Sequence, residues 1–497
     1  MFSKPVTASA AATVDWTAGS AEPDPLPTPA GLRRDRPGAA DGAAAVRAVS
    51  RFPSDPLSLA GLPACVEDAR MAALSTSNGP PDPTYFSSLK ARLEKACATL
   101  PGAYRTAVGE PILEALDGMG PGGFARILAM DPGRQGAARL LLDVYQALLQ
   151  HGERYQPRAT AAFQEVVSDL YDGFLSAEDR RGVKPPDHGV TPPLVLWGSA
   201  AAGPYTWPAT ATASFDVKAA VVSLPAANAS GGLLAWPALA HEAAGHDILA
   251  ADDGLRDELA RAVKDQLLEK KLPHAVADYW SERIDETAAD VLGVLNMGPA
   301  AAVGLVGYFR ALGGAWGGTA SLRSVGSPED PHPADIARAY LAAETVRLLS
   351  FDGAGQWADR LVAEADRDLG RIQLGDTSVS AGVAKASAAA VARAIVKTRL
   401  EALEGRALGE IQDWRNQDET IVAGLRRELR EGRGASRSAQ ADGAYAAHAV
   451  AAGVYEAASG GSNPAQVMDR MVGMLAAMHD RNAAWRSHLP TSPHSPG

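Results

Sequence analysis

Apolar positions recur at spacings of three and four over residues 85–100, 137–149 and 159–175, the mark of helices with one buried stripe. Pro101-Gly102, 118–123 and Asp131-Pro132-Gly133 punctuate them. The texture changes near residue 186. Pro193-Leu194-Val195-Leu196-Trp197-Gly198 and the stretch 217–225 read as short strands. A small-residue loop over 226–232 leads to a helix that begins near Trp236-Pro237, where proline suits a first turn. Helical spacing then covers 255–269, 274–295 and 334–349, and again 379–403, 407–433, 443–458 and 464–487. The stretch 297–312 is rich in small apolar residues but carries Arg310 and reads as a buried helix. The pattern predicts a mainly α fold with a small β-sheet (α+β). It divides into a tail over 1–55, a helical domain over 56–185, a mixed domain over 186–350, a C-terminal helical domain over 351–487 and a second tail over 488–497.

Composition narrows the classes. The first 55 residues are rich in Ala, Pro, Gly, Ser and Thr and read as a disordered tail. The net charge of −11, with no long basic block, argues against a nucleic-acid partner. No run of about 20 strongly apolar residues predicts a membrane span. Cys65 and Cys97 sit in no metal-binding spacing, and no apolar region follows Met1-Phe2-Ser3-Lys4-Pro5. A cytoplasmic, reducing setting is therefore expected.

The chemistry concentrates in His241-Glu242-Ala243-Ala244-Gly245-His246, in a chain with ten histidines. Two neutral imidazoles can hold a zinc ion, and a carboxylate beside them can take a proton from a metal-bound water. Histidines at i and i+4 share a helix face, but an i, i+5 pair diverges by about 140° in a regular helix. Joint chelation therefore requires the helix to end or to bulge by one residue, as in a π turn. Gly245 lowers the cost of that distortion. Further along, Glu286 and Asp290 are i, i+4 on a helical stretch. One can complete a three-ligand site and the other can orient a ligating imidazole.

His241, Glu242 and His246, followed by Glu286-Thr287-Ala288-Ala289-Asp290, resemble the gluzincin metallopeptidases, whose third ligand is a Glu in an E-x-x-x-D pattern. The H-E-x-x-G-H form resembles dipeptidyl peptidase III. Asp330-Pro331-His332-Pro333-Ala334-Asp335-Ile336-Ala337-Arg338 resembles the H-P-x-x-x-x-R stretch of zinc peptidases that process prenylated proteins. The likeness is confined to these segments. It implies a zincin-like catalytic core flanked by helical domains, a zinc cofactor and a peptide or protein substrate. His241, His246 and Glu286 would bind zinc and Glu242 would be the general base. Asp290, with Asp285 beside Glu286, would support the ligands. Val221, Val222, Ser223 and Leu224 would form an edge strand for an extended substrate, or else an ordinary core strand. His332 would stabilise an oxyanion, with Tyr279 or His448 as other candidates. Core packing is the competing role for Tyr279, and a core or capping role for His448. Two other classes stay open: a zincin fold that binds metal without cleaving peptides, and a helical scaffold in which the motif is accidental.

Overall fold

The computed structural model describes residues 58–175, 183–188, 191–432 and 443–486, so the expected tails at 1–55 and 488–497 lie outside the described residues. Five helices come first: α1 (Leu62–Ala73), α2 (Phe86–Cys97), α3 (Glu110–Met130), α4 (Ala137–Gly152) and α5 (Pro157–Leu175). Strands β1 (Leu194–Gly198), β2 (Tyr205–Trp207) and β3 (Val221–Pro225) follow. Next come α6 (Ala238–His241), which runs into a π turn (Glu242–Asp247), then α7 (Leu255–Glu269), α8 (His274–Ser281), α9 (Ile284–Met297) and α10 (Pro299–Leu312). The chain continues through β4 (Val325–Gly326), α11 (Asp335–Arg347), α12 (Ala354–Asp366), β5 (Ile372–Leu374), β6 (Thr377–Val379) and α13 (Ala381–Lys397). Three longer helices close it, α14 (Asn416–Arg430), α15 (Ala446–Ala458) and α16 (Pro464–His479). The protein is mainly helical with small mixed sheets, as the apolar spacing predicts.

Local sequence explains several of these elements. In α7 the buried residues are Leu255, Leu259, Val263 and Leu267, one residue per turn on a single stripe. Ser380 caps α13 by accepting from the Val383 N–H, and Asn463 caps α16 by accepting from Ala465 and Gln466. The expected helix over 274–295 is two helices. Arg283 leaves helical geometry between them and is buried, donating to the carbonyls of Tyr279, Ser327, Pro328 and Asp330. The helix expected over 407–433 starts only at Asn416. Before it, Arg399–Leu400 and Arg406–Ala407 pair as a hairpin whose turn places Glu404 and Gly405 at φ 52° and 76°. Two consecutive positive φ values suit a tight hairpin and are incompatible with a helix.

The three-stranded sheet has the order β1-β3-β2, with β3 parallel to β1 and antiparallel to β2. Both of its faces are covered, which is why its strands read as continuous apolar runs. Val195, Trp197, Val222 and Leu224 join the main core, whereas Leu194, Leu196, Val221 and Trp207 join a second cluster with α2, α3 and α4. The central place of β3 corrects one expectation. Val221, Val222 and Ser223 pair on both sides, Leu224 pairs with β1, and all four are buried, so this strand is not a free edge for substrate. The strand at the edge beside the metal motif is β2.

The main core does not follow the sequence-based domain divisions. It gathers residues from Leu59 to Met478, while α2, α3 and α4 build the second cluster. Phe163 of α5 packs on Trp197 and Trp236, α5 lies along α16, and α1 lies against α10. No described helix is long and apolar enough to cross a membrane.

Candidate metal centre

The extra residue between the two histidines is absorbed where the sequence requires it. His241 ends the regular helix, and Glu242–Asp247 form a π turn. The two imidazoles meet at nearly a right angle, with Nε2 of His246 3.0 Å from Nε2 of His241. Gly245 also allows the neighbouring helix to approach. A Cβ on it would lie 2.6 Å from the Ala289 Cβ and 2.7 Å from the Ala289 Cα. That close passage brings α9 and Glu286 under the two rings.

Glu286 completes the set. Its Oε2 is 3.4 Å from His241 Nε2 and its Oε1 is 3.6 Å from His246 Nε2. Ligand atoms bound at about 2.0–2.1 Å to one tetrahedral zinc lie about 3.3 Å apart. The ring-to-ring distance and the two contacts, one to each carboxylate oxygen, are close to that figure. Glu286 Oε2 is buried with no hydrogen-bond partner among the described residues. Facing imidazole nitrogens beside a buried carboxylate suit a shared cation, whether a proton or a metal ion. Hard oxygen and borderline nitrogen donors fit zinc.

The surrounding groups fix the ligands. Nδ1 of His241 lies 2.9 Å from Asp290 Oδ1, which leaves Nε2 for a metal. Arg338 grips Asp290 with both arms, Nε to Oδ2 at 2.7 Å and a terminal nitrogen to Oδ1 at 2.8 Å. Its guanidinium stands over the Phe309 ring and 3.4 Å from Glu286. Asp285 is 3.8 Å from Nδ1 of His246 and is half exposed. Burial opposes a charge on His241, yet Asp290 and Glu286 raise its pKa from 6.5 to about 10. Burial likewise opposes the charge on His246, and Asp285 and Glu286 outweigh it to raise its pKa. Burial alone would raise Glu286, but His241, His246, His332 and Arg338 hold its carboxyl well below the usual range.

His332 joins the same cluster, with Nε2 3.3 Å from Glu286 Oε1. Its Nδ1 is 2.9 Å from Asp330 Oδ1, which also accepts the His332 backbone N–H. Arg323 holds the other oxygen of Asp330 at 2.9 Å. Glu242 lies on the π turn, largely buried, and Thr206 of β2 donates to its Oε2 at 2.8 Å. The Tyr308 phenol is buried within reach of the Glu242 charge.

Two sequence candidates sit elsewhere. The Tyr279 hydroxyl accepts the Ala334 N–H at 2.9 Å and its ring lies under Arg283, so it props the loop that carries His332. His448 is buried at the start of α15, where Nδ1 accepts the Tyr445 N–H and Nε2 meets Asp418 at 2.9 Å. It caps its helix against Trp414 rather than facing the metal motif. Conversely, sequence reading gave no role to Thr206, Asp330 or Tyr308. Asp330 carried a usable signal, since an Asp two residues before a His can bond its backbone in an Asx turn. Thr206 and Tyr308 carried none. No protein-family model, curated protein or solved structure matches this chain.

Proposed function

We propose that this chain is a zinc-dependent metallopeptidase that hydrolyses a peptide bond with a metal-activated water. The carrying observation is the convergence of His241 Nε2, His246 Nε2 and the Glu286 carboxylate, whose donor atoms lie within 4.8 Å of one another across the π turn. Three protein donors on one side leave a position open for water or substrate. Zinc held there supplies a water of lowered pKa and polarises the scissile carbonyl.

The chain's own groups divide the remaining work. Glu242, one residue from a ligand, accepts the water proton and returns it to the leaving amine. His332, with Nδ1 held beside Asp330 and Nε2 beside Glu286, stands where it can bind the developing oxyanion. Asp290 keeps His241 in the tautomer that offers Nε2.

Metal analysis by mass spectrometry on the wild type and His246→Ala tests the site. About one zinc per chain, lost in the variant, is the expected result. A peptide-library screen with Glu242→Gln as the control then tests the reaction. The variant should retain zinc and lose cleavage by at least a factor of about a thousand. Full activity in that variant would remove Glu242 from the mechanism, and a wild type that takes up no zinc would remove the mechanism altogether.

A further inference from the structure

We propose that Thr206 is a positioning residue for Glu242, and that a buried clamp on the opposite face of β2 sets where Thr206 stands. This rests on the metallopeptidase reading and assigns a new part of that same site.

The argument begins with strand alternation. Successive side chains of β2 point to opposite faces. Tyr205 and Trp207 point toward α4, and Thr206 points toward the π turn. On the α4 side, one oxygen of Asp143 collects three donors: the Tyr205 hydroxyl at 2.7 Å, Trp207 Nε1 at 2.8 Å and Arg139 Nε at 2.9 Å. A second nitrogen of Arg139 donates to the Tyr205 oxygen at 2.7 Å, closing the group on itself. Asp143 is buried, so this charge-assisted cluster has little competition from water. It pins a three-residue strand whose only ladder partner among the described residues is β3.

On the other side, two hydrogen bonds tie the same segment to the π turn. Thr206 Oγ1 donates to Glu242 Oε2 at 2.8 Å, and the Ala209 N–H donates to Asp247 Oδ1 at 3.2 Å. Among the described residues, no other hydrogen bond reaches the Glu242 carboxylate. A glutamate has three side-chain torsions, and the last is broad. The Thr206 hydroxyl removes that freedom by occupying Oε2, which leaves Oε1 to receive a proton. Threonine suits the task, because its β-branch restricts χ1 within a strand and so aims the hydroxyl. A proton acceptor misplaced by a fraction of an ångström loses much of its effect.

A hydroxyl that merely satisfied a buried carboxylate would affect folding stability and nothing else. Acetohydroxamic acid separates the two roles without any need for a substrate. Its two oxygens chelate an active-site zinc while its acidic proton goes to a carboxylate beside the metal. Its affinity therefore reads the placement of Glu242. The measurement is calorimetric titration of acetohydroxamic acid into the full-length, zinc-loaded wild type, Thr206→Val, Thr206→Ser and Glu242→Gln, with zinc content determined for each. Thr206→Val should weaken binding by roughly tenfold or more at unchanged zinc content, and Thr206→Ser should recover most of the loss. Where a peptide substrate is in hand, Thr206→Val should lower kcat and leave KM in place.

Wild-type affinity in zinc-loaded Thr206→Val would overturn the proposal. Should Thr206→Val unfold or lose zinc, Trp207→Phe decides instead. It removes one of the three donors to Asp143 without touching the site, and a several-fold loss of hydroxamate affinity supports the clamp, whereas unchanged affinity overturns it. A wild type without zinc defeats this proposal and the metallopeptidase reading together. A zinc-loaded wild type that cleaves nothing defeats only the latter.

Discussion

The residues that would touch the metal are legible in the chain because they are close in sequence or carry a recognisable spacing. The residues that fix them are not, because the fold brings them in from afar. Asp290 shows the difference. Its i, i+4 spacing from Glu286 places it on the right face, but only the structure shows Arg338 holding both of its oxygens while it orients His241. Asp290→Asn keeps the shape and removes the charge. It should weaken zinc binding by about 10–100-fold, read by competition with a chelator of known affinity. Thermal stability should fall as well, since Arg338 is buried and would lose its closer ion-pair partner, keeping Glu286 at 3.4 Å. Unchanged affinity would mean that the His241 tautomer needs no help from Asp290. His332 gives a contrasting case, because it lies beside the ligand set without completing it. His332→Phe should retain zinc and lower kcat by about 10²–10³, the usual loss when an oxyanion donor is removed. Loss of zinc instead would make His332 a ligand.

At the level of elements, the decisive feature was readable as a requirement rather than as a pattern. An i, i+5 histidine pair demands a helix with one residue too many, and a π turn supplies it. What the sequence did not show is why glycine stands at 245. The backbone there is helical, so conformational freedom is a small part of the answer. The larger part is the approach of α9, which passes where a Cβ would sit. Gly245→Ala must push α9 outward and carry Glu286 away from both imidazoles. The expected cost is about 1–3 kcal/mol of stability, as in other overpacked contacts, with a marked loss of zinc affinity. Chemical denaturation in the presence of a chelator gives the first, and metal competition gives the second. A variant with wild-type affinity would show that the helices can separate without disturbing the ligand triangle. The elements that sequence reading misplaced have similar causes. The break at Arg283 is driven by backbone carbonyls supplied from residues 327–330, and the 399–407 hairpin closes through a five-residue loop inside otherwise helical spacing. Neither leaves a trace in apolar periodicity.

Across the whole molecule, the main core takes residues from the first, middle and last thirds of the chain, a second cluster gathers α2, α3 and α4, and the seams join remote parts of the chain. One seam sets α4 against the C-terminal residues. His151 reads in sequence as a helix-end residue that meets exposed carbonyls. Instead its ring stacks on Trp485 at 5.5 Å, and its Nε2 is buried without a partner. His479 packs on the same tryptophan at 4.8 Å and faces Glu165. Burial, with the nearby His479 charge adding to it, lowers the His151 pKa from 6.5 to about 3. The unfolded chain therefore takes up a proton near pH 6.5 that the folded chain refuses until about pH 3. The resulting stability is complete above pH 6.5 and is lost as the pH falls toward 3. At pH 5 the loss from this one group is about 2 kcal/mol. His151→Phe keeps an aromatic ring against Trp485 and removes the proton site. Urea denaturation of both proteins at pH 7.5 and at pH 5, with chelator present so that the metal-site histidines titrate alike, should show a smaller pH response in the variant by that amount. Equal responses would mean that water reaches His151 through this seam. Residues 479–485 would then be docked loosely on α4.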